Sequence, residues 1–425
     1  MTIRWRNWSG LQRSVPQQLL MPTNTDALAK VIRQHQKIRV VGAGHSFSPL
    51  VTTEDTLVSL DHFQGLIDYD AAEQSAQLWA GTRIHHLPKI LDPINQALQN
   101  QGDIDQQSLA GAISTGTHGT GIHLPCLSDL VTEFELVTAQ GNVLTCNQHQ
   151  HAEIFMAGRV GLGSLGVLSK VTFQNRARYK LKEHLQLSAV QDILTQMNTW
   201  KNQHRHIEAF IFPFHDYALL KTLNETEDAI QQRTVAFPSE DTLLTLCCEL
   251  GKIIPSIIPI LQKMLGVFIK ETEHVNWSSK VFPTPRHTKF NEMEYQVPIA
   301  QGMQCLEEII HTFRRQQLPC FFPIEVRYVK ADDIWLSPFY QQDSLSISVH
   351  QYAKQDYGRI FNQIEPIFWQ YGARPHWGKL HSLKACDLEN LYPKWQDFLN
   401  LRAELDPDKK FLNPYLQQML LGESS

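Results

Sequence analysis

Two glycine-rich loops in the first third of the chain constrain it most. The run Ile38-Arg39-Val40-Val41 reads as a short strand and leads straight into Gly42-Ala43-Gly44-His45-Ser46-Phe47, where glycine lets the backbone approach a ligand closely. The second loop, Gly111-Ala112-Ile113-Ser114-Thr115-Gly116-Thr117-His118-Gly119-Thr120-Gly121, mixes glycine with small hydroxyl residues that can also donate to phosphate oxygens. Ordinary turns explain either loop alone but explain both in one N-terminal lobe poorly. A dinucleotide pyrophosphate needs such a set of free backbone N–H groups, so the pair predicts a dinucleotide site.

A third run, Gly161-Leu162-Gly163-Ser164-Leu165-Gly166, fits the G-x-G-x-x-G spacing letter by letter. That fingerprint requires a strand before the glycines and a helix after them. Here a strand-like run, 167–173, follows instead. A Rossmann nicotinamide site is therefore rejected, while the loop stays available for another cofactor contact.

The remaining pattern is a mixed α+β layout. Thr25 reads as the N-cap of an amphipathic helix carrying Leu28, Val31 and Ile32, short strands recur near Leu57, Ile67 and Leu78, and a helical pattern covers 84–98. Residues 102–121 read as one long irregular loop. A hairpin covers 130–145 around Gln140-Gly141-Asn142, and 391–405 reads as a helix. At 425 residues the chain exceeds one ordinary core, and its glycine-rich loops stop near Arg176, which places a domain change there.

Composition narrows the function classes. Hydrophobic residues at 42% and charged residues at 19% describe a folded chain, and a net charge of -5 without any Lys/Arg block gives no footprint for nucleic acid. Small-molecule chemistry is the better expectation. Residues 1–10 carry Arg4, Arg6 and Trp8 with no apolar run behind them, so a cytoplasmic protein is expected. The 7 cysteines are odd in number and scattered, as reduced thiols are. The apolar stretch 243–269 contains Glu249, Lys252, Lys263, Pro255 and Pro259, which favours a packed helical segment of the second lobe over a membrane span or surface anchor.

Ionisable clusters stand apart from this background. His45 sits between Gly44 and Ser46 just after a strand, where an imidazole is free to act as a nucleophile, although a lone loop histidine is more often merely polar. The pairs His149/His151 and His204/His206 have metal-like spacing with no third ligand in view, so no metal is assigned. Glu325-Val326-Arg327 alternates like a strand and sends both charges to one face, as a surface ion pair also would. Arg374-Pro375-His376-Trp377-Gly378-Lys379-Leu380-His381 is unusually dense in ionisable groups for a turn.

Taken together, the loop at 42–47, the loop at 111–121 and His376-Trp377-Gly378-Lys379 resemble the aldonolactone oxidase and alditol oxidase branch of the vanillyl-alcohol oxidase flavoprotein family. Asn7-Trp8-Ser9, Glu294-Tyr295-Gln296-Val297-Pro298, Trp335-Leu336-Ser337-Pro338 and Leu405-Asp406-Pro407 are further similar pieces, so the resemblance spans nearly the whole chain. It implies a two-lobed α+β fold. The FAD-binding domain, of two α+β subdomains, would comprise 1–176 with 374–425 returning to it, and 177–373 would form a cap with a large antiparallel sheet. The cofactor implied is FAD, tethered through a nitrogen of His45 to the flavin 8α-methyl group. Val41, Gly42, Ala43, Gly44, Ser46 and Phe47, with Ser108, Gly111, Ala112, Ser114, Thr115, Gly116, His118 and Gly119, fall where the family cradles pyrophosphate and isoalloxazine. Gly166-Val167 matches a further flavin contact.

The resemblance also implies roles. Arg327 matches the fixed cation that meets negative charge at the flavin N1–C2=O edge as hydride reaches N5. Lys379, Glu325 and His376 match the group that orients the substrate hydroxyl and removes its proton, with the base left open among them. Gly102 matches a gatekeeper beside the flavin, where a small residue leaves dioxygen a path. Asp103 stands where alditol oxidases have a polyol-binding serine, and His350 lies on the strand supplying further substrate contacts. The implied activity is oxidation of a sugar lactone or polyol, with dioxygen reduced to hydrogen peroxide. A dehydrogenase using a quinone or cytochrome, and a flavin-binding protein without turnover, are the rivals.

Overall fold

Polar and apolar residues alternate along four strands between residues 206 and 352, and this alternation builds the sheet that carries the site. In Phe290–Pro298, Met293, Tyr295 and Val297 point to one face while Glu292, Glu294 and Gln296 point to the other. Ile324–Val329, Ser344–Tyr352 and His206–Ile211 repeat the pattern, with Glu325 and Arg327, Ser346, Ser348 and His350, and Glu208 on the polar side. Register keeps these residues in cross-strand rows: Glu292 pairs with His350, Glu294 with Ser348, Glu325 with Ser348 and Arg327 with Glu208. The computed structural model describes residues 2–231, 240–265, 271–284 and 286–423.

These strands belong to an eight-stranded antiparallel sheet running Thr272–Trp277, Lys180–Ala189, Tyr217–Glu225, His206–Ile211, Ile324–Val329, Ser344–Tyr352, Phe290–Pro298 and Arg374–Pro375. Its apolar face packs against Val190–Trp200, Gly302–Gln316 and Gly358–Gln370. In Gly302–Gln316, Cys305, Leu306, Ile309, Ile310 and Phe313 make the buried stripe. With the apolar face covered by helices, the charged face turns toward the first part of the chain.

Besides two two-stranded pairings, two smaller sheets precede it. Gln18–Leu20, Thr56–Ser59 and Ile38–Val41 pair in parallel, whereas Val143–Asn147, Val131–Val137, Val167–Gln174, Ser75–Trp79 and Leu66–Asp70 form an antiparallel five-stranded sheet. Leu388, Tyr392, Trp395, Phe398 and Leu416 pack into the core of the five-stranded sheet, so the end of the chain returns to its beginning. The fold is α+β with a large antiparallel sheet, as the resemblance implies.

Local structure corrects several expectations. The cap of Thr25–Gln34 is Asn24, whose side chain accepts from Ala27 N, and Thr25 is the first helical residue. The pattern at 84–98 breaks into Ile84–His86, Leu87–Leu91 and Asp92–Ile94 before a short strand, because Pro93 and the left-handed Asn95 stop propagation. The loop at 102–121 contains a helix, Leu109–Ser114, capped by Ser108. The single helix expected at 391–405 begins only at Trp395, after a separate helix, Ala385–Leu391, with Pro393 between them. The stretch 243–269 is helical over Glu240–Ile253 and Ile258–Leu265, and its part beyond 265 lies outside the described residues. Only one side of it is packed: Cys247, Cys248 and Ile258 are buried while Leu246, Ile253 and Ile260 are exposed. Among the described residues no helix is long and apolar enough to cross a membrane.

Candidate active site

Two cavities meet at His45. The first, about 1060 Å³ including its open mouth, is lined by Gly42, Ala43, Gly44, Ser46, Ser108, Gly111, Ser114 and Thr115, and by the rejected G-x-G-x-x-G loop through Gly161, Gly163 and Gly166. Glycine is required here. A Cβ on Gly42 would lie 2.1 Å from Ser108 Oγ, and Gly44 holds φ of 68°. Val41, Leu50, Val51, Leu60, Leu165 and Val167 add apolar wall. Exposed backbone and small hydroxyls suit a pyrophosphate, and the apolar wall suits stacked ring systems, so the residues present fit FAD.

His45 is stacked against Trp8 with ring centroids 5.7 Å apart, and Asn7 and Trp8 are tied to its loop through Ser46 O and Gly44 O. Burial, helped by Lys379 and Arg83, pushes its imidazole down to about 4. The ring is therefore neutral near neutral pH, with a lone pair available.

The second cavity measures about 1900 Å³ including its open mouth, and it lies between the glycine loops and the charged face of the large sheet. Lys379 Nζ is 2.5 Å from Glu292 Oε2 and 3.7 Å from Glu294 Oε2. Arg327 meets Glu294 at 3.2 Å and Glu325 at 3.7 Å. His350 Nε2 lies 3.6 Å from Glu292 and 3.9 Å from Glu325. Burial opposes ionisation of Glu292, but Lys379 and His350 outweigh it and hold the carboxyl at about 2. His376 is pushed down to about 3 by burial against the pull of Glu294, and its Nδ1 accepts from Gly378 N, which leaves the proton on Nε2.

A second charged group flanks the cavity. Asp103 sits 3.1 Å from Arg286 and 3.9 Å from Lys221, which in turn pairs with Glu208 at 2.7 Å. Burial raises Glu208 to about 7 against the attraction of Lys221. For Asp103, Lys221, Arg286 and Arg327 overcome burial and depress the carboxyl.

Most sequence-predicted residues converge. Val41 to Ser46, Ser108, Gly111, Ser114, Thr115, Gly166 and Val167 line the first cavity. Phe47, Gly102, Asp103, His118, Glu325, Arg327, His350, His376 and Lys379 line the second. Ala112, Gly116 and Gly119 line neither; a Cβ on Gly119 would meet Asn100 and Gln101, so that glycine serves packing. Sequence reasoning missed Glu292, Glu208, Lys221 and Arg286 and noted Glu294 only within a motif. Their signal was the alternation of charged with large apolar residues along buried strands. His149 and His151 lie outside both cavities, and His206 bonds the Thr120 carbonyl. Three groups, His118/Glu294/His376, Glu292/Glu325/His350 and Asp103/Glu208/Glu325, bring ligand-type atoms within 4.8 Å, but Arg327, Lys379 and Lys221 already engage their carboxylates.

The pattern that defines the D-arabinono-1,4-lactone oxidase family matches residues 171–419, and that of an FAD-binding domain matches 16–147. The chain belongs to the D-arabinono-1,4-lactone oxidase family. It is 36% identical to the L-gulono-1,4-lactone dehydrogenase of Mycobacterium tuberculosis, across 98% of this chain and 99% of that one. It is 30% identical to the L-gulonolactone oxidase of Scyliorhinus torazame, with 98% of each covered. A solvent-stable cholesterol oxidase shares its fold at a TM-score of 0.82 and 16% identity, covering 98% of this chain and 97% of that one. As a member of this family the chain is an FAD-linked oxidoreductase of CH–OH groups with the vanillyl-alcohol oxidase type of fold.

Proposed function

We propose that this family member oxidises a ring hydroxyl of an aldono-1,4-lactone, with FAD tethered through His45 and dioxygen as the final electron acceptor. The observation that carries the reading is Arg327 Nε. It is buried, belongs to a residue lining the second cavity, and makes no hydrogen bond among the described residues, its carboxylate neighbour Glu325 Oε1 standing 3.7 Å away, so it is a donor that a bound oxygen atom can satisfy.

When bound, FAD supplies the two-electron acceptor for the hydride that leaves the carbinol carbon. Arg327, fixed by Glu294 and Glu325, offers a preorganised cation where negative charge develops. Lys379 is ion-paired to Glu292 and His376 carries its proton on Nε2, so both are set to donate to substrate oxygens. Glu325 is left as the carboxylate that accepts the hydroxyl proton. Asp103, held by Arg286, and His350 offer contacts for the remaining hydroxyls, in place of the serine of alditol oxidases. That replacement, with the lactone-named relatives, favours a lactone over an alditol.

The acceptor has a second reading, passage of electrons to a quinone or cytochrome, because the M. tuberculosis relative is named a dehydrogenase. Gly102 does not discriminate by size alone. A Cβ there would lie 2.8 Å from the His118 carbonyl oxygen, so packing demands glycine whatever oxygen does.

Anaerobic addition of sugar lactones is expected to bleach the flavin, and air to restore its colour within seconds with one peroxide per lactone. Bleaching followed by reoxidation over many minutes selects the dehydrogenase reading. No bleaching by lactones, alditols or sugar acids would sink both.

A further inference from the structure

Glu294 is where side chains from the two halves of the site meet. It is 1% exposed, on the strand Phe290–Pro298. Its Oε1 accepts from His118 Nε2 at 2.6 Å, Gln296 Nε2 at 2.8 Å and Ser346 Oγ at 2.9 Å. Its Oε2 accepts from Arg327 Nη2 at 3.2 Å. His118 belongs to the second glycine loop, and its Nδ1 faces the Gly119 carbonyl at 2.8 Å, so both ring nitrogens are directed at oxygens. Arg327 belongs to the large sheet. One carboxylate thus joins the loop side of the cavity to its catalytic side. Burial opposes its charge, but Arg327, His118 and His376 overcome this and hold the carboxyl well below the usual range.

Charge balance gives this link a consequence. Lys379 lies 2.5 Å from Glu292 and 3.7 Å from Glu294, and Arg327 lies 3.2 Å from Glu294 and 3.7 Å from Glu325, so Glu294 is the carboxylate nearest to Arg327 and also touches the His118 ring. We propose that Glu294 is a positioning residue that sets the electron affinity of the bound flavin, fixing Arg327 and His118 and cancelling part of the positive field of Arg327. The proposal rests on the reading above that Arg327 faces the flavin. Reduction by two electrons and one proton adds one negative charge to the site, so a buried carboxylate there opposes reduction and its loss favours it.

The test is an anaerobic dithionite titration of FAD-loaded protein against a reference dye, for wild type, Glu294→Gln and Ser346→Ala. E294Q should shift the reduction equilibrium toward reduced flavin at least tenfold, about 30 mV for a two-electron couple. S346A removes a hydrogen bond from the same carboxylate without removing charge, and should shift it less than threefold. An unchanged or lowered potential in loaded E294Q, or an equal rise in S346A, overturns the proposal. If E294Q does not retain FAD, Glu294→Asp is titrated. Its withdrawn carboxylate lengthens the contacts to Arg327 and His118, so a smaller rise is expected, and no rise overturns the proposal. Dithionite needs no substrate. Failure of the wild type to bleach with any lactone would remove the proposed activity and leave this potential shift standing.

Discussion

His45 gains its meaning from its surroundings. An imidazole pushed by burial down to about 4, stacked on Trp8 and placed where two cavities join, fits the nucleophile that the proposed tether requires. Acid-precipitated wild-type protein is expected to stay yellow, and His45→Ala to leave its flavin in the supernatant while still binding it in the native state. A colourless wild-type pellet would dismiss the tether and keep FAD. At this scale location was legible for Gly44, His45, Arg327 and Lys379, all of which line the two cavities. It was illegible where a charge sits on a strand that otherwise looks like core. Glu292 and Glu294 flank Met293, and only the fold tells which side of that strand meets a cavity.

Elements were read well where pattern and punctuation agree. The Gln140-Gly141-Asn142 turn does join the antiparallel strands Val131–Val137 and Val143–Asn147, with Gly141 at φ of 75°. The loop at 102–121 misled because its helix, Leu109–Ser114, is only 6 residues long, too short for a periodic signal, and runs straight into the glycine- and threonine-rich stretch 115–121. Its stability comes from burial of Leu109, Ala112 and Ile113 and from the Ser108 cap. The first helix shows the same limit at its boundary. Asn24 Oδ1 accepts from Ala27 N at 2.8 Å, whereas Thr25 Oγ1 is directed at Glu135, 3.1 Å away. Asn24→Ala should therefore cost about 1 kcal/mol and Thr25→Ala clearly less, read as a lower urea midpoint for the former. Equal losses would return the cap to Thr25.

At the scale of the whole molecule, the site is a seam between a glycine-rich surface that needs no charge and a sheet face crowded with it. Chain length and loop composition predict two lobes, but the facing of the sheet toward the loops depends on which side the helices cover, and that is tertiary. Burying so many ionisable groups makes folding depend on pH. His206 and His376 are pushed by burial down to about 3 and His381 to about 4, so below roughly pH 6.5 the unfolded chain binds protons at these three positions that the folded chain refuses. Stability from them falls as pH falls. Glu208 and Asp332, both raised by burial to about 7, act in the opposite sense, since above roughly pH 4 the folded chain keeps protons that the unfolded chain has released. Three histidines against two carboxylates leave about one extra proton on the unfolded state between roughly pH 5 and 6, which corresponds to about 1.4 kcal/mol lost per pH unit on acidification. His45, pushed down to about 4, adds to the same slope. Urea melts of the flavin-loaded protein should therefore show the midpoint falling from pH 6 to pH 5. His381→Gln should flatten that slope by removing one of the three histidines, and a slope of opposite sign would mean that the raised carboxylates dominate the buried histidines.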